Sequence, residues 1–248
     1  MSSMPDAVIL CGGAGLRLRS VTGDTPKAMA SIAGRPFLEI LLNQLKRYGF
    51  SRIILSVGHQ SHVIRDYFGE EPYGLELLYS FESSPRGTGG ALREASNLMT
   101  TDSALVMNGD SYTDLDLSRL SFVHLKDRSD LTVVVVAQTR NDAGSVLLDD
   151  NGRVTTFAEK QVVGSSRYLS AGIYMFNKNL ACSIPNAVQI SLEEQLFPLW
   201  IREGRMIRAF VHPGESIDIG TPERFRKAQD VLAKVEVGRS ALRCDGQS

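Results

Sequence analysis

Cysteine is scarce in this chain: Cys11, Cys182 and Cys244 are odd in number and far apart. Three such positions build neither a zinc site nor a disulfide framework. The four histidines, His59, His62, His124 and His212, have no metal or triad spacing and read as structural or surface residues. Long apolar runs are also missing. Leu131 to Ala137, among the longest, falls far short of the roughly 20 residues that cross a bilayer. The opening residues Met-Ser-Ser-Met-Pro-Asp hold no basic region and no apolar signal core. A cytoplasmic protein without membrane contact is the expectation. Excess charge is absent too: a net −1 excludes a broad nucleic-acid surface, so any bound anion needs locally gathered positive charge. No internal repeat is present.

What is there is an apolar fraction of 43% over 248 residues, enough for one large α/β domain with a sizeable core. The most informative stretch runs from Ala7 to Lys27. Ala7 to Cys11 reads as a short buried strand, and it breaks into Gly12, Gly13 and Gly15. Glycine lets a backbone turn sharply and lets its N–H groups approach a phosphate. Arg17 and Lys27 add positive charge to the same loop, whose natural guest is a polyphosphate. It is not a dinucleotide fingerprint, because Leu18 stands where the third glycine belongs. Nor is it a P-loop, because Lys27 lies between Pro26 and Ala28.

The chain then alternates. Pro36 to Tyr48 carries a helical apolar stripe ending at Gly49; Arg52 to Val57 reads as a strand; Ser61 to Phe68 reads as a helix capped by Ser61; Leu75 to Phe81 reads as a strand. This spacing predicts a mostly parallel central sheet with helices on both faces. Gly87, Gly89 and Gly90 open a helix to about Leu98 and offer unpaired N–H groups at its start. Glu82 lies just upstream. Ala104 to Asp110 is a buried strand ending in a carboxylate, placed where α/β sheets bind ligands. Asp114 and Asp116 read as a turn and a cap for a helix over Ser118 to Lys126. From Leu131 onward the pattern becomes antiparallel, with a hairpin around Asp150-Asn-Gly152. Glu194 is placed for a capping box with Ser191. A last helix runs from Glu223 to about Val237, with Thr221 as its cap.

Five motifs in this order resemble the sugar-1-phosphate nucleotidyltransferases: the glycine loop with Thr-Pro-Lys27, Gly87-Thr-Gly-Gly, Asn-Gly109-Asp110, Glu159-Lys160, and Asp218-Ile-Gly-Thr-Pro. The resemblance implies a Rossmann-like, mostly parallel sheet carrying an antiparallel sugar-binding extension. It implies transfer of a nucleotidyl group to a sugar 1-phosphate with release of pyrophosphate. By the same resemblance, Arg17, Lys27 and Asp110 are catalytic, and Mg²⁺ sits on Asp110 and Asp218. Leu10, Gly12, Gly13, Gly15, Glu82, Gly87, Thr88 and Gly109 hold the nucleotide. Glu159, Lys160, Ser170, Gly172 and Glu193 hold the sugar phosphate, with Ser170 standing where the family usually has Asn. The Gly-Thr-Gly-Gly-Ala loop, Glu82 and the modest length look most like the guanylyltransferase branch that uses GTP and heptose 1-phosphate. Mannose 1-phosphate, uridylyl transfer to N-acetylmuramate 1-phosphate, and a silent regulatory subunit stay open as alternatives. The expected layout is one domain over 1–241, with a nucleotide half over 7–120, a sugar half over 130–237, and a flexible tail over 242–248. The expected state is a monomer or small homo-oligomer, because the trimer-forming β-helix of some relatives has no counterpart here.

Overall fold

The computed structural model describes residues 4–13, 15–82, 84–137, 144–158, 168–186 and 189–244. The first strand, β1 (Asp6–Leu10), is flanked by β2 (Arg52–Val57) and β4 (Ser103–Asn108), and β3 (Glu76–Phe81) extends beyond β2. All three pairings are parallel. The links are α1 (Phe37–Arg47), α2 (Ser61–Phe68) and α3 (Gly87–Ala95). β5 (Ser111–Thr113) and α4 (Leu117–Asp127) lead on to β6 (Leu131–Val136). Then come the hairpin of β7 (Ser145–Leu148) and β8 (Val154–Ala158) and the long β9 (Tyr168–Asn177). β9 runs antiparallel to β4 and to β6, which turns the parallel half into the antiparallel one.

After β9 follow α5 (Lys178–Cys182), a π-helical turn Leu192–Leu196, α6 (Phe197–Arg202) and β10 (Ile207–His212), which pairs with β6 in parallel. β11 (Ser216–Asp218) pairs antiparallel with β5, and α7 (Pro222–Cys244) ends the described chain. Side chains on the two faces of the sheet form two cores. One collects Leu38, Leu41, Ile64, Leu117, Leu120 and Phe225 from α1, α2, α4 and α7. The other collects Leu92, Ala95, Leu180, Phe197 and Trp200 from α3, α5 and α6. The predicted α/β class with helices on both faces is what forms.

Local chemistry explains the element ends. α1 stops in a Schellman motif: Gly49 adopts φ +82°, its N–H reaches Lys46 O, and Phe50 N–H reaches Leu45 O at 3.1 Å. Asp116 caps α4 by accepting from Arg119 N–H, as predicted, and Asp114 pairs with Arg47 at 3.1 Å. Ser61 does not cap α2. The N-cap is Gln60, left-handed at φ +57°; the turn closed by Ser61 N–H to Gly58 O is one residue shorter than a Ser61 cap requires, so Ser61 is already helical. The capping box at Ser191 is also different: Ser191 Oγ accepts from Glu194 N–H, but the return arm to Ser191 N–H comes from Gln195. α7 continues past Val237 to Cys244, since Gly238 lowers helix propensity by only about 1 kcal/mol and does not break the ladder.

His124 is 2% exposed against Thr132 Oγ1, at 2.9 Å from Nδ1. Burial pushes its pKa down to about 4, against the upward pull of Asp130 and Asp127. The folded imidazole therefore stays neutral below the ordinary value near 6.5, while the unfolded one takes up a proton. Stability falls as pH drops from about 6.5 to 4, at up to about 1.4 kcal/mol per pH unit. Calorimetry across that window should show His124→Gln losing this component of the pH slope. An unchanged slope would move the acid sensitivity elsewhere.

Candidate active site

The carboxyl ends of β1, β2 and β4, with the loop after β3, enclose a cleft of about 820 Å³. Open sheets bind ligands at this edge, and the volume suits a small-molecule ligand. Leu10, Gly12, Gly13 and Gly15 line it after β1; Gly58, His59 and Gln60 after β2; Glu82 after β3; Gly87 and Thr88 from α3; Asn108 and Asp110 after β4. The loops are tightly stacked. A Cβ on Gly58 would stand 3.0 Å from Gly12 O, and one on Gly12 would stand 3.0 Å from Glu82 Oε2. Gly15, at φ +59°, packs against the Cβ of Lys27. A Cβ on Gly13 would meet nothing within 4 Å, so this glycine faces open space.

Lys27 begins a 3₁₀ turn over Lys27–Met29, and its ammonium donates to Asp110 Oδ2. Burial pushes the Asp110 carboxyl up, but the Lys27 charge and hydrogen bond, the Ser111 hydroxyl and the Arg17 charge outweigh it and hold the pKa below the ordinary value. Asp218 arrives from the other end of the chain. The β5–β11 pairing sets it beside Ser111, and Ile219 N–H bonds Asp110 O at 3.0 Å. Arg224 Nη1 holds both Asp218 oxygens, at 3.1 and 3.2 Å, and Gly220 N–H holds one. Lys27 Nζ, Asp218 Oδ1 and Arg224 Nη1 all crowd the same point beside Gly220. Among the described residues no three His, Cys, Asp or Glu side chains form a metal cage. Two neighbouring carboxylates are nonetheless the donor set of a hard dication that takes its remaining ligands from phosphate and water.

Glu82 sits half-buried over the glycine loop. Burial pushes its pKa up, and Arg86, through its backbone N–H and its charge, pulls partly the other way. The Ser56 hydroxyl also pulls down, lying close to that carboxyl but short of a well-formed hydrogen bond.

The start of α3 differs from the expectation. Its N–H groups are not all open: Gly89 N–H and Gly90 N–H donate to Ile190 O at 2.9 and 3.4 Å. Gly87 and Gly89 are glycine because Ile190 passes there; a Cβ on either would stand 2.6 or 2.9 Å from its oxygen. Thr88 lines the cleft, but its hydroxyl donates to Glu193 Oε2 at 2.6 Å. Gly109 lies behind the cleft rather than in its wall, where a Cβ would press on Cys11 Sγ and Leu10 O, both at 2.9 Å. Gly172, at φ +70°, forms a bulge in β9 against Asn108 Nδ2. Ser170 Oγ is engaged by Gly172 N–H and Tyr174 Oη, both at 3.3 Å. Glu159 and Lys160 lie outside the described residues.

Gly58, His59, Gln60, Asn108 and Gln189 also line the cleft and escaped the sequence reading. The rule that ligands bind at strand carboxyl ends points to Gly58 through Gln60 once β2 is recognised. Nothing in the spacing points to Gln189.

The chain is 36% identical over 222 residues to D-glycero-alpha-D-manno-heptose 1-phosphate guanylyltransferase of Campylobacter jejuni, covering 88% of this chain and 96% of that one. It is 34% identical over 241 residues to mannose-1-phosphate guanylyltransferase of Mycobacterium tuberculosis, covering 96% of this chain and 67% of that one. The crystal structure of HddC from Yersinia pseudotuberculosis complexed with GMP-PN superposes with a TM-score of 0.79 at 33% identity, over 92% of this chain and 100% of that one. The nucleotidyl transferase profile matches residues 6–235, and the chain belongs to the nucleotidyl transferase family.

Proposed function

We propose that this enzyme transfers GMP from GTP to a sugar 1-phosphate, D-glycero-α-D-manno-heptose 1-phosphate, giving GDP-heptose and pyrophosphate. The observation that carries the guanine choice is the Glu82 carboxyl, held over the glycine loop in the wall of the cleft. A carboxylate accepts the paired N–H donors of guanine, whereas uracil offers one N–H between two carbonyls. The heptose choice rests on the Campylobacter relative, which aligns over nearly its whole length. Mannose 1-phosphate is the second reading, favoured by the Mycobacterium relative.

The sugar phosphate oxygen is already anionic, so no protein base is needed to activate it. It attacks the α-phosphorus in line as pyrophosphate leaves from the opposite side. The task is to bring two polyanions together and to stabilise spreading charge. Gly12, Gly13 and Gly15 let the backbone approach the triphosphate. The Lys27 ammonium has three N–H donors; Asp110 takes one, and the others reach phosphate oxygens. Arg17 adds a second positive charge, and Glu159 and Lys160 hold the sugar and its phosphate. Asp110 and Asp218 hold Mg²⁺, which when bound neutralises phosphate charge. The chain works as one cytoplasmic domain, with a nucleotide half over 7–120 and a sugar half over 130–237.

Pyrophosphate release from four NTPs, each paired with heptose, mannose, glucose and N-acetylmuramate 1-phosphates, tests this. GTP with heptose 1-phosphate should turn over fastest, and Glu82→Gln should narrow the lead of GTP over ITP, which lacks the 2-amino group. An unchanged GTP/ITP ratio removes Glu82 from the base pocket. Preference for UTP with N-acetylmuramate 1-phosphate overturns the guanine choice. No release with any pair would leave a binding subunit.

A further inference from the structure

The segment between the glycine loop and Lys27 puts an ion pair into the wall of the nucleotide cleft. Arg19 and Asp24 both line it, together with Thr22, Thr25 and Pro26. Arg19 Nε donates to Asp24 Oδ1 at 2.9 Å, and Nη2 donates to the same oxygen. The backbone holds the two residues in place: Gly23 N–H bonds Arg19 O at 2.9 Å, and Thr25 N–H bonds Thr22 O at 3.3 Å. Arg17 serves a different place, since its charge acts on Asp110. The Arg19–Asp24 side chains are 59% and 67% exposed, and ion pairs this open to water add little to folding. Stability does not account for a paired guanidinium in the cleft wall.

The order of contacts along the loop shows what the pair faces. Gly12 packs against Glu82, and Gly15 packs against Lys27. The 3₁₀ turn Leu16–Leu18, closed by Leu18 N–H to Gly15 O at 2.9 Å, then leads to Arg19. A guanine on Glu82 therefore runs its triphosphate from Gly12 towards Gly15, with the distal phosphates nearest Arg19. We propose, on the reading of the site given above, that Arg19 binds the β- and γ-phosphates, the part that leaves as pyrophosphate, while Asp24 aims the guanidinium and weakens its hold.

A guanidinium has five N–H donors, and Asp24 takes two of them. The remaining N–H groups point a planar fork at phosphate oxygens, a better match than a point charge offers. Asp24 sets the strength of that hold. Its carboxylate cancels much of the Arg19 charge and repels a phosphate oxygen beside it. The leaving group is thus oriented for in-line departure without being trapped after the bond breaks.

Calorimetry with GMP, GDP and GTP, each with Mg²⁺, locates the contact. Arg19→Gln should weaken GTP about tenfold and leave GMP, which has no β- or γ-phosphate, within about twofold. Asp24→Asn should tighten GTP about threefold with GMP unchanged, and adding Arg19→Gln should abolish that gain, as coupled neighbours do. Arg19→Lys, a charge without the fork, should fall between wild type and Arg19→Gln. Arg65→Gln removes an equal charge from exposed α2 and should leave all three nucleotides unchanged. In the reverse reaction, Arg19→Gln should raise KM for pyrophosphate about tenfold and keep KM for the nucleotide sugar within about twofold. Equal losses for GMP and GTP, unchanged GTP binding in Arg19→Gln, or weaker GTP binding in Asp24→Asn overturns the proposal. Failure of the wild type to bind any of the three nucleotides strikes instead at the functional reading beneath it.

Discussion

Lys27→Ala should lower kcat roughly 10²–10³-fold, the usual effect of losing one preorganised charge at a reacting phosphate. Folding should suffer far less. The Lys27–Asp110 pair is only partly shielded, with the carboxylate side chain 34% exposed, so water replaces much of what the ammonium provided. Ser111 Oγ keeps its bond to Asp110 Oδ1. A pair of this exposure contributes at most about 1 kcal/mol, or about 2–4 °C in a domain of this size. The pH dependence has a definite sign. Asp110 is held below its ordinary value in the folded state, so its contribution is present above about pH 4 and disappears as the pH falls through the depressed pKa. The gap in stability between variant and wild type should accordingly close in acid. Turnover at saturating Mg²⁺ and calorimetry at neutral and acid pH check both parts. Near-normal turnover would remove Lys27 from the reaction, and a melting temperature that collapses together with activity would make it a structural residue.

Much of the fold was legible because one-dimensional patterns encode it. The stripe Phe37, Leu38, Leu41, Leu42 and Leu45 buries completely in α1, and Gly49 ends the helix through a left-handed turn, as a glycine after such a stripe should. Asp110 lies at a strand end because the apolar run before it is a strand. The distant relations carried no periodic signal. Asp218 reaches Asp110 through a three-residue pairing between β5 and β11, and Arg224 turns back onto Asp218 from the first turn of α7. Glu193 looks like part of a helix cap in sequence, yet it is the acceptor for Thr88, a residue 105 positions away. Glycine proved the least legible residue. A glycine that admits a phosphate and a glycine that admits a passing backbone look alike until the neighbour is seen, and Gly87, Gly89, Gly109 and Gly172 each have a protein neighbour within 3.0 Å of a built Cβ.

Adding one methyl group should therefore affect the two glycine clusters in opposite ways. In Gly13→Ala the new Cβ meets no protein atom within 4 Å, and the backbone is not left-handed. The melting temperature should move by no more than about 2 °C, since substitutions away from special features stay within about 0.5 kcal/mol. The methyl would instead stand where the triphosphate approaches, and kcat/KM for GTP should fall roughly 10–10²-fold, the scale set by small misplacements of a reacting group. Gly87→Ala is the reverse case. Its backbone stands at φ +70°, and the added Cβ would lie 2.6 Å from Ile190 O and 2.9 Å from the carbonyl carbon, neither of which can rotate away. Strain at a left-handed non-glycine residue costs about 1–3 kcal/mol, and forcing the Ile190 backbone aside costs about as much again. The melting temperature should drop by about 5–20 °C. Gly152→Ala separates the two contributions, because its φ is +74° with nothing within 4 Å, and should show the strain alone. If Gly13→Ala binds GTP normally, the loop does not wrap the phosphates as closely as proposed. If Gly87→Ala melts no lower than Gly152→Ala, contact with Ile190 is not what requires glycine at the start of α3.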